Sequence, residues 1–496
     1  MLKIKMKTNY AFISRNYLFL TIGFAAFLYF LLIGQKDLAL DEISSVVFTK
    51  DSSDMLHTLK YSEGNMWLYY FLLFLWAKLG SSEAWLRTLS ALFAIATIPF
   101  FYSLSKKLIN EQVAKIATLL FVLNIFVIQN AQNARSYTLL LFLTTASSYF
   151  FISYILKPSK TLLLSFMTLN ILAIYAHLYA VFVIGVQFLS LLFFYKKIRW
   201  KELIMTFLGT SLLLLPYAVA PSLHSGQINW ISTPTIRILI RTFFIVAGDF
   251  PPVSILFFLL SCGYLIFLWK KRKQFKQNLQ TRNYEFLFLW LIFPVAAAFI
   301  FSLLVKPMYQ PMYFIISVVP FTILSAAAIE NIKRAGLKKA ILISLIFFSL
   351  IRLYGWYASD PRLRVVIGNK NEEWRKVNQF LSANAQYKDA IIAFPSFVMT
   401  YSDFYAKREN IVMSKLDKVR LQPDSFVTGN PSNKFDSKLL KEIPYKYNRV
   451  WYIYGNYSDP SIEYQKNMIE SALHQNYILK EKDVFSILTV YKYEKK

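Results

Sequence analysis

Apolar runs of about 20 residues recur along this chain, and each is long enough to cross a hydrocarbon core of about 30 Å. A soluble chain of 496 residues could bury a large core without such runs. They predict a polytopic α-helical membrane protein, and a composition that is 56% hydrophobic agrees.

The net charge is +27. Such a balance suits either nucleic-acid binding or cytoplasmic loops that set orientation. Most Lys and Arg of the first 356 residues sit in short clusters between apolar runs, and no nucleic-acid-binding module accompanies them. Nucleic acid is therefore excluded as a partner. Lys3, Lys5, Lys7 and Arg15 precede the run 16–34. That run is too long for a signal-peptide core and has no clear small-residue cleavage site, so it reads as an uncleaved first span with a cytoplasmic N-terminus. The lone Cys262 lies inside an apolar run, which excludes an intrachain disulfide and a Cys-based metal site.

Positive-inside parity orders the remaining spans. They fall at 84–104, 113–131, 137–156, two within 161–195 divided near Tyr175-Ala176-His177-Leu178-Tyr179, then 202–220, 252–269, 285–305, 311–329 and 339–356. With the first, the expectation is about 11 transmembrane helices. The runs 66–79 and 236–249 are too short to cross. Laying them along the outer surface keeps Lys106 and Lys107 cytoplasmic. The odd number of spans places 357–496 outside, so the expected domains are 1–356 in the plasma (inner) membrane and 357–496 as an extracytoplasmic α/β domain. In the latter, 389–394, 449–454 and 485–493 read as strands, and 371–384 and 460–474 as helices. No glycine-rich phosphate loop is present, so no nucleotide site is assigned.

Seven of the twelve acidic residues in 1–356 lie in the first outer connection, Asp41 and Glu42 among them. The topology, built from basic loops alone, sends Arg87, Arg135, Tyr137, His177, Tyr179 and Lys306 to the same face. Ionisable groups near an interface are costly unless they pair or serve a ligand. Asp41 or Glu42 could act as a general base toward an acceptor hydroxyl. Arg87 and Arg135 could grip a phosphate bidentately, with Lys306 a weaker third. The bland alternatives are a solvated helix start for the acidic pair and headgroup contacts for Arg87, Arg135, Arg237, Arg241 and Lys306. For His177 the bland alternative is a hydrogen-bonded structural role, against metal or acceptor binding. Four histidines with no close pair define no metal site, and a divalent cation at Asp41 or Glu42 is the cofactor the pair allows.

These residues carry a resemblance. Asp41-Glu42 is followed by Trp67-Leu68-Tyr69-Tyr70 and Ser82-Glu83-Ala84-Trp85-Leu86-Arg87. Then come Gln132-Asn133-Ala134-Arg135-Ser136-Tyr137-Thr138-Leu139 and Tyr175-Ala176-His177-Leu178-Tyr179. In order and spacing the set resembles the GT-C fold membrane glycosyltransferases, in particular the family 39 proteins related to protein O-mannosyltransferases and the lipid A aminoarabinose transferase. The resemblance covers roughly residues 16–330.

It implies a polyprenyl-phosphate sugar donor, an outer-face active site and juxtamembrane helices on that face. The acceptor would be an extracytoplasmic lipid, glycan or protein, glycosylated with inversion. Asp41 would be the base, with Glu42 orienting or replacing it. Arg87, Arg135 and Lys306 would hold the donor phosphate, and Tyr69, Tyr137, His177 and Tyr179 would contact substrate. The C-terminal domain would cover the site or select the acceptor.

Three positions depart from the family pattern. Gly64-Asn65-Met66-Trp67 stands where a His-Pro-Pro or Lys-Pro-Pro is usual, Asn133 where a Glu is common, and Pro311-Met312-Tyr313 where Pro-Arg-Tyr is common. These departures keep a catalytically inactive relative as an alternative. A lipid or polysaccharide transporter is disfavoured, because the ionisable groups cluster at one face and no internal repeat is visible. An outer-face polymerase or ligase using a diphosphate-linked glycan is the third alternative.

Overall fold

The computed structural model describes residues 2–62, 64–194, 199–213, 215, 231–252, 254–256, 259–260, 263, 279–358, 372–421, 437–456 and 460–496. They form two compact units that do not follow chain order. The described residues among 2–33 and 64–358 make the first, and those among 34–62 and 372–496 the second. The connection 34–62 thus groups with the C-terminal residues, unlike a division at 356/357.

The first unit is helical and belongs to a multi-pass membrane protein. Among the described residues five helices are long and apolar enough to cross a membrane: Glu83–Leu108, Tyr137–Leu156, Arg282–Leu304, Pro311–Glu330 and Ala335–Tyr357. A sixth span results if Glu111–Val122 and Ile125–Ala131, which meet at 57°, are one broken span. Shorter apolar helices include Asn16–Phe30, Lys160–Ala176 and Ala180–Leu192. The division expected near 175–179 therefore falls between two helices. The expected span 252–269, the basic cluster 270–273 and Cys262 lie wholly or largely outside the described residues.

The break at 113–131 has a local cause. Asn124 ends one helix and starts the next: its Oδ1 accepts the Phe126 amide at 2.9 Å, a cap that begins a new helix. Its Nδ2 donates to the Val246 carbonyl at 2.9 Å, which fixes the bend. Elsewhere buried side-chain amides join helices. Asn170 donates to Gln187 at 3.0 Å, Gln187 donates to Ser147 at 2.9 Å, and Ser147 donates back to Asn170. Three helices are thereby linked where hydrocarbon would leave each amide unsatisfied. Gln132 joins the C-terminal ends of the helices Leu2–Phe30 and Ala335–Tyr357. It donates to the Tyr29 and Leu31 carbonyls at 3.1 and 2.8 Å and accepts the Trp356 indole N–H at 2.9 Å.

Both short runs form 11-residue helices, Trp67–Ala77 and Ile236–Val246. At about 1.5 Å per residue neither can cross a bilayer. Trp67–Ala77 is locked to the next helix by Trp76 and Trp85, whose rings stack at 4.6 Å. Each indole N–H donates to the other residue's carbonyl, at 2.8 and 3.0 Å. Ile236–Val246 exposes Ile236 and Ile240. Its Arg241 differs from the headgroup reading: it pairs with buried Asp249 at 2.6 Å, and Arg352 reaches the same carboxylate at 3.4 Å.

The second unit contains a five-stranded sheet with strands β1 (Asp389–Phe394), β2 (Leu416–Val419), β3 (Arg449–Gly455), β4 (Tyr477–Phe485) and β5 (Leu488–Lys495) in the order β2-β1-β3-β5-β4. β1 runs parallel to β2 and β3, with Ile391 opposite Trp451; β5 is antiparallel to β3 and β4. Every residue of β1 is buried, as expected for a strand covered on both faces. The strand expected at 485–493 is β5, which starts at Leu488, and the unexpected β4 precedes it in a hairpin. Ser486, at φ 54°, turns the chain between β4 and β5. Asp389 anchors the sheet's start, receiving Arg449 Nη2 at 2.7 Å and the Trp451 indole at 2.9 Å.

Gly80 tests the tryptophan lock. A Cβ there would lie 2.9 Å from the Trp85 ring, which its stacking partner prevents from yielding. Gly80→Ala should destabilise the first unit by about 1–3 kcal/mol, as overpacking does. A lowered unfolding midpoint with altered tryptophan fluorescence in detergent would show it; an unchanged midpoint would refute it.

Candidate active site

Asp41 and Glu42 open the short helix Leu40–Phe48. The first amides of a helix have no intrahelical acceptor, and buried ones must find a side chain. Ala39, at the cap position, has no side-chain acceptor. Glu42 reaches back to the cap residue's own amide, its Oε2 accepting the Ala39 N–H at 2.9 Å. Glu42 is fully buried, whereas Asp41 is half-buried. The two carboxylates are therefore not equivalent. One is committed to the backbone, and the other sits at the helix start, where the dipole favours negative charge.

A third carboxyl joins them, one that sequence reasoning missed. Glu372 is buried, accepts the Trp374 indole N–H at 3.0 Å and also takes a hydrogen bond from the Leu40 amide. Burial pushes its pKa well above the usual glutamate range, with Asp41 and Glu42 adding to the rise. In the sequence it is only a Glu just before an amphipathic helix, which does not mark it as buried. Among the described residues no three His, Cys, Asp or Glu side chains are grouped to hold a metal ion.

The other expected site residues belong to the first unit. Arg87 and Arg135 are buried, which separates them from side chains that snorkel to headgroups. Arg87 donates to the Ile33 carbonyl at 2.9 Å, and Arg135 to the Tyr70 hydroxyl at 3.3 Å. Ser90, one turn beyond Arg87, donates to the Arg135 carbonyl at 3.1 Å, so both arginines sit at one end of the bundle. Tyr69 is fully buried and bonds Ser90 at 3.1 Å.

Tyr137, His177 and Tyr179 do come together, around Tyr313. The Tyr313 ring lies 4.9 Å from both His177 and Tyr179, and 5.9 Å from Tyr137. His177 is fully buried. The Tyr179 amide faces its Nδ1 and the Asn65 amide its Nε2, each at 3.2 Å. Burial first, then the nearby Arg135 charge, hold its pKa down to about 3. A neutral imidazole has a single lone-pair nitrogen, here Nδ1, which the Tyr179 amide engages, so the ring is a structural acceptor and a poor general acid. Two departures from the family pattern meet here. Asn65 also accepts the Leu178 amide at 2.9 Å, and Met312 Sδ accepts the Tyr137 hydroxyl at 3.2 Å. Arg135 lies 6.0 Å from the Tyr137 ring centre. Lys306 is half-buried beside this region in sequence, and its ammonium makes no ion pair among the described residues.

No protein-family model and no curated protein sequence matches the chain. Solved structures do. ArnT from Cupriavidus metallidurans in the apo state is similar with a TM-score of 0.60 at 13% identity, over 97% of this chain and 98% of that one. The same protein bound to undecaprenyl phosphate gives 0.60 at 12%, over 96% and 98%. The oligosaccharyltransferase AglB from Archaeoglobus fulgidus, in complex with an inhibitory peptide and a dolichol-phosphate, gives 0.52 at 10%, over 97% and 74%. This chain has the GT-C fold. At these identities the likeness is one of fold, and the GT-C fold places no residue role by itself.

Glu372 gives a pH test. An acid whose folded-state pKa is raised stabilises fully below its unfolded pKa, and that stabilisation is lost as pH rises through the folded value. The second unit should therefore lose stability as pH climbs above the ordinary glutamate range. Glu372→Gln, which mimics the protonated acid, should flatten that loss. Unfolding midpoints of full-length protein across pH check it, and parallel pH profiles for the two proteins would contradict it.

Proposed function

We propose that this chain is a membrane glycosyltransferase that moves a sugar from a polyprenyl phosphate to an extracytoplasmic lipid, glycan or protein acceptor. The GT-C fold supports the reaction class. ArnT and AglB were seen with undecaprenyl phosphate and dolichol-phosphate respectively, which supports the donor class. In this reading the chain crosses the plasma membrane about 11 times, with its N-terminus cytoplasmic and residues 357–496 outside. The 11-residue helices would then lie on the outer surface among lipid headgroups.

The observation that carries the mechanism is the unequal state of the acidic pair. Asp41 accepts the acceptor's proton as its oxygen attacks the anomeric carbon. Direct displacement inverts that centre. Positive charge develops on the sugar ring and negative charge on the departing phosphate. Arg87 and Arg135 stabilise the phosphate, in surroundings where fixed charges act strongly. Glu42 holds the base-bearing helix. Met312 offers no charge at the place of the family's arginine, so Arg87 and Arg135, with Lys306 as a third, are the cations left to serve the donor. A divalent cation at Asp41 would add further phosphate charge neutralisation, and chelator treatment tests for one.

Membranes incubated with radiolabelled polyprenyl-phosphate sugars decide the reading. Asp41→Asn should slow transfer by about 10²–10⁴-fold, the usual contribution of a positioned base. Glu42→Gln keeps an amide oxygen for the Ala39 cap and should lose far less. Arg135→Met should weaken donor use, since a lost charge–phosphate contact acts on donor and transition state together. Equal donor consumption by wild type and Asp41→Asn would refute the assignment. No consumption by wild type of any donor tried would favour the inactive relative.

A further inference from the structure

The first outer connection and the C-terminal residues share one unit, and their contacts converge on the few residues around Asp41. Asp37 receives Arg375 twice: Nη1 on Oδ1 at 2.5 Å and the Arg375 amide on Oδ2 at 3.0 Å. The Leu38 amide donates to the Tyr405 hydroxyl at 2.5 Å. The Leu40 amide donates to Glu372. Ser44 Oγ already donates to the Leu40 carbonyl, so the Tyr401 hydroxyl donates to Ser44, at 2.7 Å. Most of these atoms are buried.

The anchors are themselves held. Arg375 Nε donates to Glu409 at 3.0 Å, and its guanidinium lies 5.4 Å from the Tyr405 ring centre. Arg375 belongs to the helix Trp374–Asn384, and Tyr401 and Tyr405 to Phe397–Arg408. Asn378 and Ser402 join those two helices: Asn378 Nδ2 donates to the Ser402 carbonyl at 2.8 Å, and Ser402 Oγ donates to Asn378 Oδ1 at 2.5 Å.

Four attachments within eight residues fix where the helix Leu40–Phe48 lies and how it is rotated about its axis. A nine-residue helix could not hold either by itself, since isolated helices this short are marginal in water. We propose that the C-terminal domain is the scaffold that positions the Asp41 carboxylate, with Glu372, Arg375 and Tyr405 as its positioning residues. The inference rests on Asp41 as base for its catalytic consequence, but the clamp itself is a separate physical claim. It assigns the domain a task other than covering the site or choosing the acceptor. The groups facing Asp41's helix in this clamp are Glu42, Glu372, Asp37 and Arg375, with the tyrosine hydroxyls of 401 and 405.

Hydrogen exchange on full-length protein in lipid nanodiscs tests it, read alongside transfer from radiolabelled polyprenyl-phosphate sugars. Each lost buried hydrogen bond should raise exchange of the amides in 38–44 about tenfold in Glu372→Ala and Arg375→Met. β1 and β3 should stay protected. Turnover should fall by about tenfold with donor KM unchanged, because a displaced base acts on the chemical step. Glu372→Gln, which keeps an acceptor for the Leu40 amide, should restore both protection and rate. Tyr405→Phe removes only the oxygen that receives Leu38, and it should raise exchange there even if the other variants fold poorly. Unchanged exchange at 38–44 in Arg375→Met and Tyr405→Phe would overturn the proposal. If exchange rises while Asp41→Asn transfers sugar as wild type does, the clamp stands and the assignment of the base falls.

Discussion

A helix that begins in a buried place must satisfy its first amides, and at Leu40–Phe48 that need organises the site. Ala39 cannot cap, so two carboxyls are drawn in: Glu42 from the helix itself and Glu372 from the C-terminal residues. Capping with acids also suits the helix dipole. The result is a set of three neighbouring carboxyls with different tasks. Glu42 and Glu372 serve backbone amides, and Asp41 keeps contact with solvent. An adjacent acidic pair that looks symmetric in sequence is therefore asymmetric in chemistry.

How much of this was legible in the sequence depended on the range of the interactions. Apolar run length marked helices such as Tyr137–Leu156 to the residue. The continuous apolar runs of β1 and β3 were equally plain. β4 was not, because Lys480, Glu481, Lys482 and Asp483 give an edge strand the look of a loop. The residues 485–493 read as one strand because a positive φ at a serine leaves no composition signal. Of the candidate residues, Asp41, Arg87, Arg135 and His177 could be nominated from parity alone. Glu372 could not, since its partners lie at the other end of the chain. Arg241 looked like a headgroup contact because its partner, Asp249, sits past the end of its own helix. Sequence also could not show that the Tyr69 hydroxyl bonds Ser90 while the Tyr70 hydroxyl accepts from Arg135.

The departures from the family pattern gain meaning from where they fall. Asn65 and Met312 both border the His177 and Tyr137 cluster, which leaves that region less cationic than the pattern implies. The low pKa of His177 agrees with an environment that already contains the Arg135 charge and admits no second one cheaply. Donor binding would then lean on buried Arg87 and Arg135, each oriented by a neighbouring oxygen.

Sugar transfer by this mechanism requires a carboxylate at position 41. Cys262 is the sole native cysteine, so Asp41→Cys in a Cys262→Ala background can be alkylated selectively. Iodoacetate installs an acid there, and iodoacetamide a neutral group of nearly the same shape. Sugar transfer from a polyprenyl-phosphate donor should recover with the acid alone. Wild-type transfer by the unalkylated protein, or equal recovery with both reagents, would contradict the claim that Asp41 is the base.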